Sequence, residues 1–136
     1  MESRIRDSFS RQTFMATLGA SLVSVAPGEV VIELAHREDL VQQNGFLHAG
    51  VTTAVVDSAC GYAALTMMPA QSDVLSVEFK VNLLAPAAGS RFRAVGRVVK
   101  AGRTLTVCQG EMVALETGKT VALMTATMIA RPAVES

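Results

Sequence analysis

Residues 48–68, HAGVTTAVVDSACGYAALTMM, run without a proline and carry apolar side chains on nearly every side. A helix that is apolar all round cannot lie on a surface and has to be enclosed. Pro69 cannot continue such a helix and is expected to end it. Gly50 and Gly61 lower its intrinsic propensity, so packing from other elements must hold it. The spacing therefore predicts a buried helix over 48–68. From His48 to Ser72 one residue alone carries a formal charge, Asp57.

The rest of the chain must supply the enclosure. It has 136 residues, enough for one domain with a real core and too few for two. Half of the residues are apolar, and 12 basic side chains balance 12 acidic ones. Such a chain is too apolar for intrinsic disorder. With no net positive charge it lacks the footprint of a nucleic-acid binder. Charged residues make up 18%, against about 25% in average proteins. A neutral surface this poor in charge points to subunit contacts. The opening MESRIRDSFSRQ holds five charges and lacks the apolar stretch of a signal peptide. No run reaches the roughly 20 apolar residues of a membrane helix. Cys60 and Cys108 lie in apolar surroundings and read as reduced, buried thiols of a cytoplasmic protein.

Ahead of the long segment, Ile5, Phe9, Phe14 and Leu18 give pairs at i, i+4 spacing and predict a short amphipathic helix over about 3–18. SLVSVA and EVVIELA flank Pro27-Gly28 and predict a β-hairpin. Residues 37–47 are polar, contain Asn44-Gly45, and read as loop. After Pro69 every segment reads as strand. Val77–Leu83 alternates apolar with polar, as a half-buried strand does. Residues 91–99, 104–115 and 120–130 follow, with turns at Ala101-Gly102 and Thr117-Gly118. The expectation is a meander of antiparallel strands joined by short hairpins. One buried helix followed by strands is an α+β layout, a curved antiparallel sheet around the 48–68 helix.

Two residues stand out chemically. Asp57 lies mid-helix in a stretch that otherwise reads as core, and ionised Asp is rarely buried without a partner. Either the helix surfaces there, or Asp57 is a working carboxylate whose pKa is raised by desolvation. His48 sits where loop becomes helix, and the next N–H groups lack intrahelical acceptors. Such a helix start can hold a developing oxyanion. His48 reads equally as a helix cap. Nine residues separate it from Asp57, roughly 13.5 Å along the axis and about half a turn out of phase. The two cannot act on one atom from one helix. They serve separate purposes, or a two-fold dimer with antiparallel helices brings His48 of one chain to Asp57 of the other. His36, His48 and the two cysteines do not form a zinc spacing. The glycines do not form a phosphate loop.

Gly45-x-x-His48-Ala49-Gly50-Val51, followed by Asp57-x-Ala59, resembles the G-x-x-H-G-G signature of the PaaI-like hotdog thioesterases, in which an Asp follows near the middle of the long helix. The strand Ser76–Leu84 running into Ala85-Pro86, and the turn Lys100-Ala101-Gly102-Arg103, are also similar to that family. The similarity runs over about residues 15–130. It implies a single hotdog domain over 1–136. It implies homodimers, often paired into tetramers, with sites at the dimer interface. It implies hydrolysis of acyl-CoA thioesters with no cofactor beyond the coenzyme A of the substrate, no metal, and neither nucleic acid nor membrane as partner. Carried over by position, Asp57 is the general base or nucleophile. His48 positions the thioester, and the N–H of Ala49, with that of Gly50, polarises its carbonyl. Gln42 falls where many relatives have Asn, and Ser76 matches a hydroxyl that orients water in some members. Asn44, Gly45, Phe46 and Tyr62 are expected to bind substrate, with Met67 and Met68 beside Phe46 and Tyr62 in an apolar slot. Arg103, at a turn, is the leading candidate for the CoA phosphates among Arg91, Arg93, Arg97, Lys100 and itself.

Two departures from the pattern stand out. Ala49 replaces the first glycine of the usual pair, and Gln42 lengthens its arm by one methylene. A non-catalytic acyl-CoA binding module and a hotdog hydroxyacyl dehydratase are the alternatives. The Pro-rich loop associated with the dehydratases is missing here. No DNA-binding segment of a regulator is evident, and Asp57 together with His48 favours chemistry.

Overall fold

The computed structural model describes residues 1–133; the expected domain also takes in 134–136, which lie outside the described residues. Two helices open the chain, α1 (Glu2–Arg11) and α2 (Thr13–Leu18). Strands β1 (Ser21–Ala26) and β2 (Glu29–Ala35) follow, then the long helix α3 (Ala49–Leu65). Four strands complete the order: β3 (Ser72–Leu83), β4 (Arg91–Ala101), β5 (Leu105–Ala114) and β6 (Lys119–Pro132). All six strands form one antiparallel sheet in the order β1-β2-β4-β5-β6-β3. This is the expected α+β arrangement. Among the described residues no helix is long and apolar enough to cross a membrane.

Helix α3 lies against the concave face of the sheet, with Val55, Val56, Ala59, Cys60, Ala63 and Ala64 fully buried. Two glycines let it sit close. Gly96 of β4 pairs with Gly110 of β5 across the strands. A Cβ added at Gly96 would lie 2.4 Å from the backbone of Ala59, and one at Gly110 would lie 2.6 Å from Val56. Only a residue without a side chain permits that approach. The helix ends one turn before Pro69, at Leu65. The Thr66 hydroxyl donates to Ala63 O at 2.6 Å and accepts the Gly28 N–H at 2.8 Å. Thr66 is thus both the C-cap of the helix and its tie to the β1–β2 turn.

Three expectations change. The N-terminal helix is broken at Gln12, whose backbone is extended. The break shifts the helical phase, so Met15 is buried while Phe14 is exposed. The strands after α3 are not a simple meander. β4, β5 and β6 are, but β3 pairs with β6 at the far edge of the sheet. The connection 84–90 therefore travels back past the start of α3, where Ala87 O accepts the Leu47 N–H at 3.1 Å and Ser90 O accepts that of His36 at 2.8 Å. The apolar residues of β3 are also not enclosed. Phe79 and Leu83 stay 43% and 53% exposed, because an edge strand extends beyond the cover of α3.

Candidate active site

The middle of α3 holds Asp57, half-buried, with the strand β3 opposite it. Ser76 Oγ donates to Asp57 Oδ1 at 2.7 Å and lies 3.3 Å from Met128 Sδ. Burial pushes the Asp57 carboxyl above its usual pKa, and the Ser76 hydrogen bond opposes that shift only in part. Both residues line a cavity of about 450 Å³. Ser58, Gly61, Tyr62 and Leu65 continue the same wall along the helix. The Tyr62 hydroxyl accepts from Ser8 Oγ at 3.2 Å and from Gln12 Nε2 at 2.9 Å. Ser58 Oγ donates to Gln12 Oε1 at 3.2 Å. Ser8, Gln12 and Ser58 escaped the sequence reading. Ser58 was detectable as the residue four before Tyr62. Gln12 was detectable as the polar residue between the two apolar pairs.

The start of α3 is built differently. His48 is the N-cap, and its Nδ1 accepts the Gly50 N–H at 2.8 Å. An Nδ1 that accepts cannot carry the proton, so the neutral ring has its hydrogen on Nε2 and presents it as a donor. Gly50 leaves room for this cap, since a Cβ there would lie 3.0 Å from His48 Nδ1 and crowd the ring. The Gly50 N–H is thereby taken, and the Ala49 N–H is the first one left facing outward. Gln42 braces the preceding loop. Its Oε1 accepts the N–H groups of Asn44 at 2.6 Å and Phe46 at 3.2 Å. Gly45 has φ +85°, a conformation that suits glycine.

Gln42, Phe46, Ala49 and Thr52 border a second cavity of about 460 Å³, whose far wall is the returning segment Leu84–Ala87. Thr52 is 1% exposed, and its hydroxyl has no partner among the described residues. The two cavities share no residue. Tyr62 lies in the first and Phe46 in the second, so they do not form one slot. Met67 and Met68 border neither. Asn44 and Gly45 are exposed loop residues. Arg103 is exposed in the β4–β5 turn and borders neither cavity. Arg91 and Arg93 pair with Glu33, and Arg97 with Glu29 and Glu111. Cys60 and Cys108 are buried free thiols, and burial pushes Cys108 up to about 11.

A curved sheet around one buried helix, with a carboxylate mid-helix and a histidine at its start, defines a class that known proteins put a name to. Residues 44–127 match the thioesterase superfamily. The chain belongs to that family and is a thioester hydrolase on the hotdog fold. It is 32% identical over 113 residues to human acyl-coenzyme A thioesterase 13, covering 82% of this chain and 80% of that protein. A thioesterase family protein from Silicibacter pomeroyi superposes with a TM-score of 0.93 at 49% identity, covering 96% of this chain and 98% of that one. The phenylacetic acid degradation protein PaaI of Thermus thermophilus, in a mutant form, superposes at 0.78 with 31% identity, over 87% and 98% of the two chains. Within the superfamily this is a PaaI-like hotdog thioesterase.

Proposed function

We propose that the chain hydrolyses an acyl-CoA thioester to free CoA and a carboxylic acid, at a site that two copies of it complete. The observation that carries this reading is Asp57: half-buried in a cavity, with Oδ1 held by Ser76. Oδ2 then serves as general base. It takes a proton from water, and the oxygen adds to the thioester carbonyl. The developing oxyanion meets the Ala49 N–H at the positive end of α3. Collapse breaks the C–S bond, and the CoA thiolate leaves and recovers the proton. His48 Nε2–H faces the thioester from the same helix start. Gln42 acts indirectly, by holding the loop before His48.

One copy cannot bring these groups together. His48 and Asp57 are half a turn out of phase, and the cavities next to them are separate. Antiparallel packing of two α3 helices would place His48 of one copy at Asp57 of the other. The exposed Val77, Phe79, Leu83 and Leu84 on and after edge strand β3 supply an apolar surface for that pairing. A homodimer is the smallest unit this reading allows, and pairing of dimers into tetramers is compatible with it.

The test follows thiol release from short, medium, long and aryl acyl-CoAs, with Asp57→Asn alongside. Release by the native protein and a loss of at least about 100-fold in the variant are expected, the scale of a general base. No release from any thioester overturns the hydrolase reading. A monomer by light scattering overturns the shared site.

A further inference from the structure

Gln12 is the single residue between α1 and α2, and its extended backbone lets its side chain reach α3 at the Asp57 cavity. Its amide holds two residues of α3 at once, Tyr62 through Nε2 and Ser58 through Oε1. Ser58 and Tyr62 are four apart and share one helix face directly after Asp57. Hydrogen-bond capacity is left over. The hydroxyls of Ser8, Ser58 and Tyr62 and the Gln12 amide hold five hydrogens and make three hydrogen bonds with one another among the described residues, so two remain to donate whichever way the hydroxyls turn. Tyr62 is only 6% exposed and lines this cavity. Between Asp57 and Leu65 the wall is open, since a Cβ at Gly61 would meet nothing within 4 Å.

A plain alkyl chain in this space would strip water from these donors and return nothing, at a cost of about 1–3 kcal/mol per group. An oxygen on the chain would satisfy them. We propose that the Asp57 cavity receives the acyl group and selects one bearing a hydroxyl, ketone or ether oxygen beyond the thioester, with Gln12 as the specificity-determining residue. This rests on the acyl-CoA reading above. Gln12 lies outside residues 44–127, so the residue between the N-terminal helices joins Ser58 and Tyr62 of the matched segment in the selection.

The test measures binding without turnover. Non-hydrolysable CoA thioethers bearing hexyl and octyl chains are titrated by calorimetry against their ω-hydroxy counterparts. The native protein is expected to bind the hydroxylated chain of at least one length at least about tenfold more tightly, since a site built for a hydroxyl rejects the analogue lacking it. Gln12→Met keeps the length and removes the amide, and it is expected to collapse that ratio to within about threefold. Tyr62→Phe, which keeps the ring, is expected to act in the same direction and stands in if Gln12→Met lowers the melting temperature. Equal or tighter binding of the plain chains, binding of none, or a ratio that survives both substitutions overturns the proposal. The corresponding thioesters are assayed in parallel. A preference in binding with no hydrolysis of either thioester condemns the hydrolase reading and leaves the selection standing.

Discussion

The start of α3 and its middle both carry candidate chemistry, and they are built on opposite principles. At the start the candidate oxyanion donor belongs to the main chain. His48 caps the helix through Gly50, and the Ala49 N–H faces outward whatever side chain follows it. In the middle the candidate groups are side chains, Asp57, Ser76, Ser58, Tyr62 and Gln12, drawn from α3, β3 and the α1–α2 break. A site made of backbone tolerates substitution and is set by helix geometry. A site made of side chains is set by packing and can be tuned. The contrast teaches that Ala49 in place of glycine leaves the main-chain donor intact, whereas each change around Asp57 reshapes the cavity wall.

The largest expected effect separates the two ends outright. Asp57→Asn should lower kcat by at least about 100-fold in steady-state thiol release. The same variant should melt higher than the native protein near neutral pH. The folded-state pKa of Asp57 is raised, so the stability tied to this carboxyl is full below the unfolded pKa and is lost as pH rises through the folded one. The gain in melting temperature should accordingly vanish in acid, and a gain that persists there would contradict the burial. For the native enzyme, the acid limb of kcat/KM should have its midpoint above that of an ordinary aspartate.

Gly61→Leu comes next. A Cβ at Gly61 meets nothing within 4 Å, and the rest of a leucine side chain would extend into the cavity beside Asp57. Turnover of the preferred acyl-CoA should fall about tenfold or more, on the scale of about 1–3 kcal/mol for a misfit in a pocket, with the fold retained by circular dichroism. Unchanged kinetics would place the acyl group elsewhere.

At the helix start, His48→Ala removes the cap acceptor and should cost about 0.5–2 kcal/mol in urea unfolding. Gly50→Ala crowds the same ring and should move stability in the same direction by less. If His48→Ala left stability untouched, the cap would not be what holds the Gly50 N–H. The smallest effect is expected at Thr52, whose buried hydroxyl lacks a partner among the described residues. Thr52→Val should raise stability by about 1 kcal/mol, because it removes an unsatisfied group and keeps the shape.

Much of this was legible along the chain. The enclosed helix followed from its all-round apolarity, and the hairpin from Pro27-Gly28. The strands followed from alternation and turn residues, and Asp57 from being the lone charge between His48 and Ser72. The resemblance of the G-x-x-H-A-G segment to the thioesterase signature supplied the rest of the site list. What escaped was non-local. The break at Gln12 depends on partners 46 and 50 residues away. Thr66, the C-cap of α3, is tied to Gly28, 38 residues earlier in the chain. The placement of β3 beside β6 turns on which sheet edge was free, and periodicity is silent on that. The apolar residues of β3 announced burial, and alternation could not reveal that a single copy leaves them exposed.

The linear order of residues determined the elements and the chemistry on offer, because helix and strand periods and turn residues act over a few positions. It put one carboxylate on one apolar helix and one histidine at that helix's start. Only the folded arrangement decided which groups meet. The separation into two cavities, the hold of Ser76 on Asp57 and the reach of Gln12 into the same cavity arise from contacts between segments far apart in the chain. Those contacts depend on how the sheet curves around α3, and on how close Gly96 and Gly110 let it come.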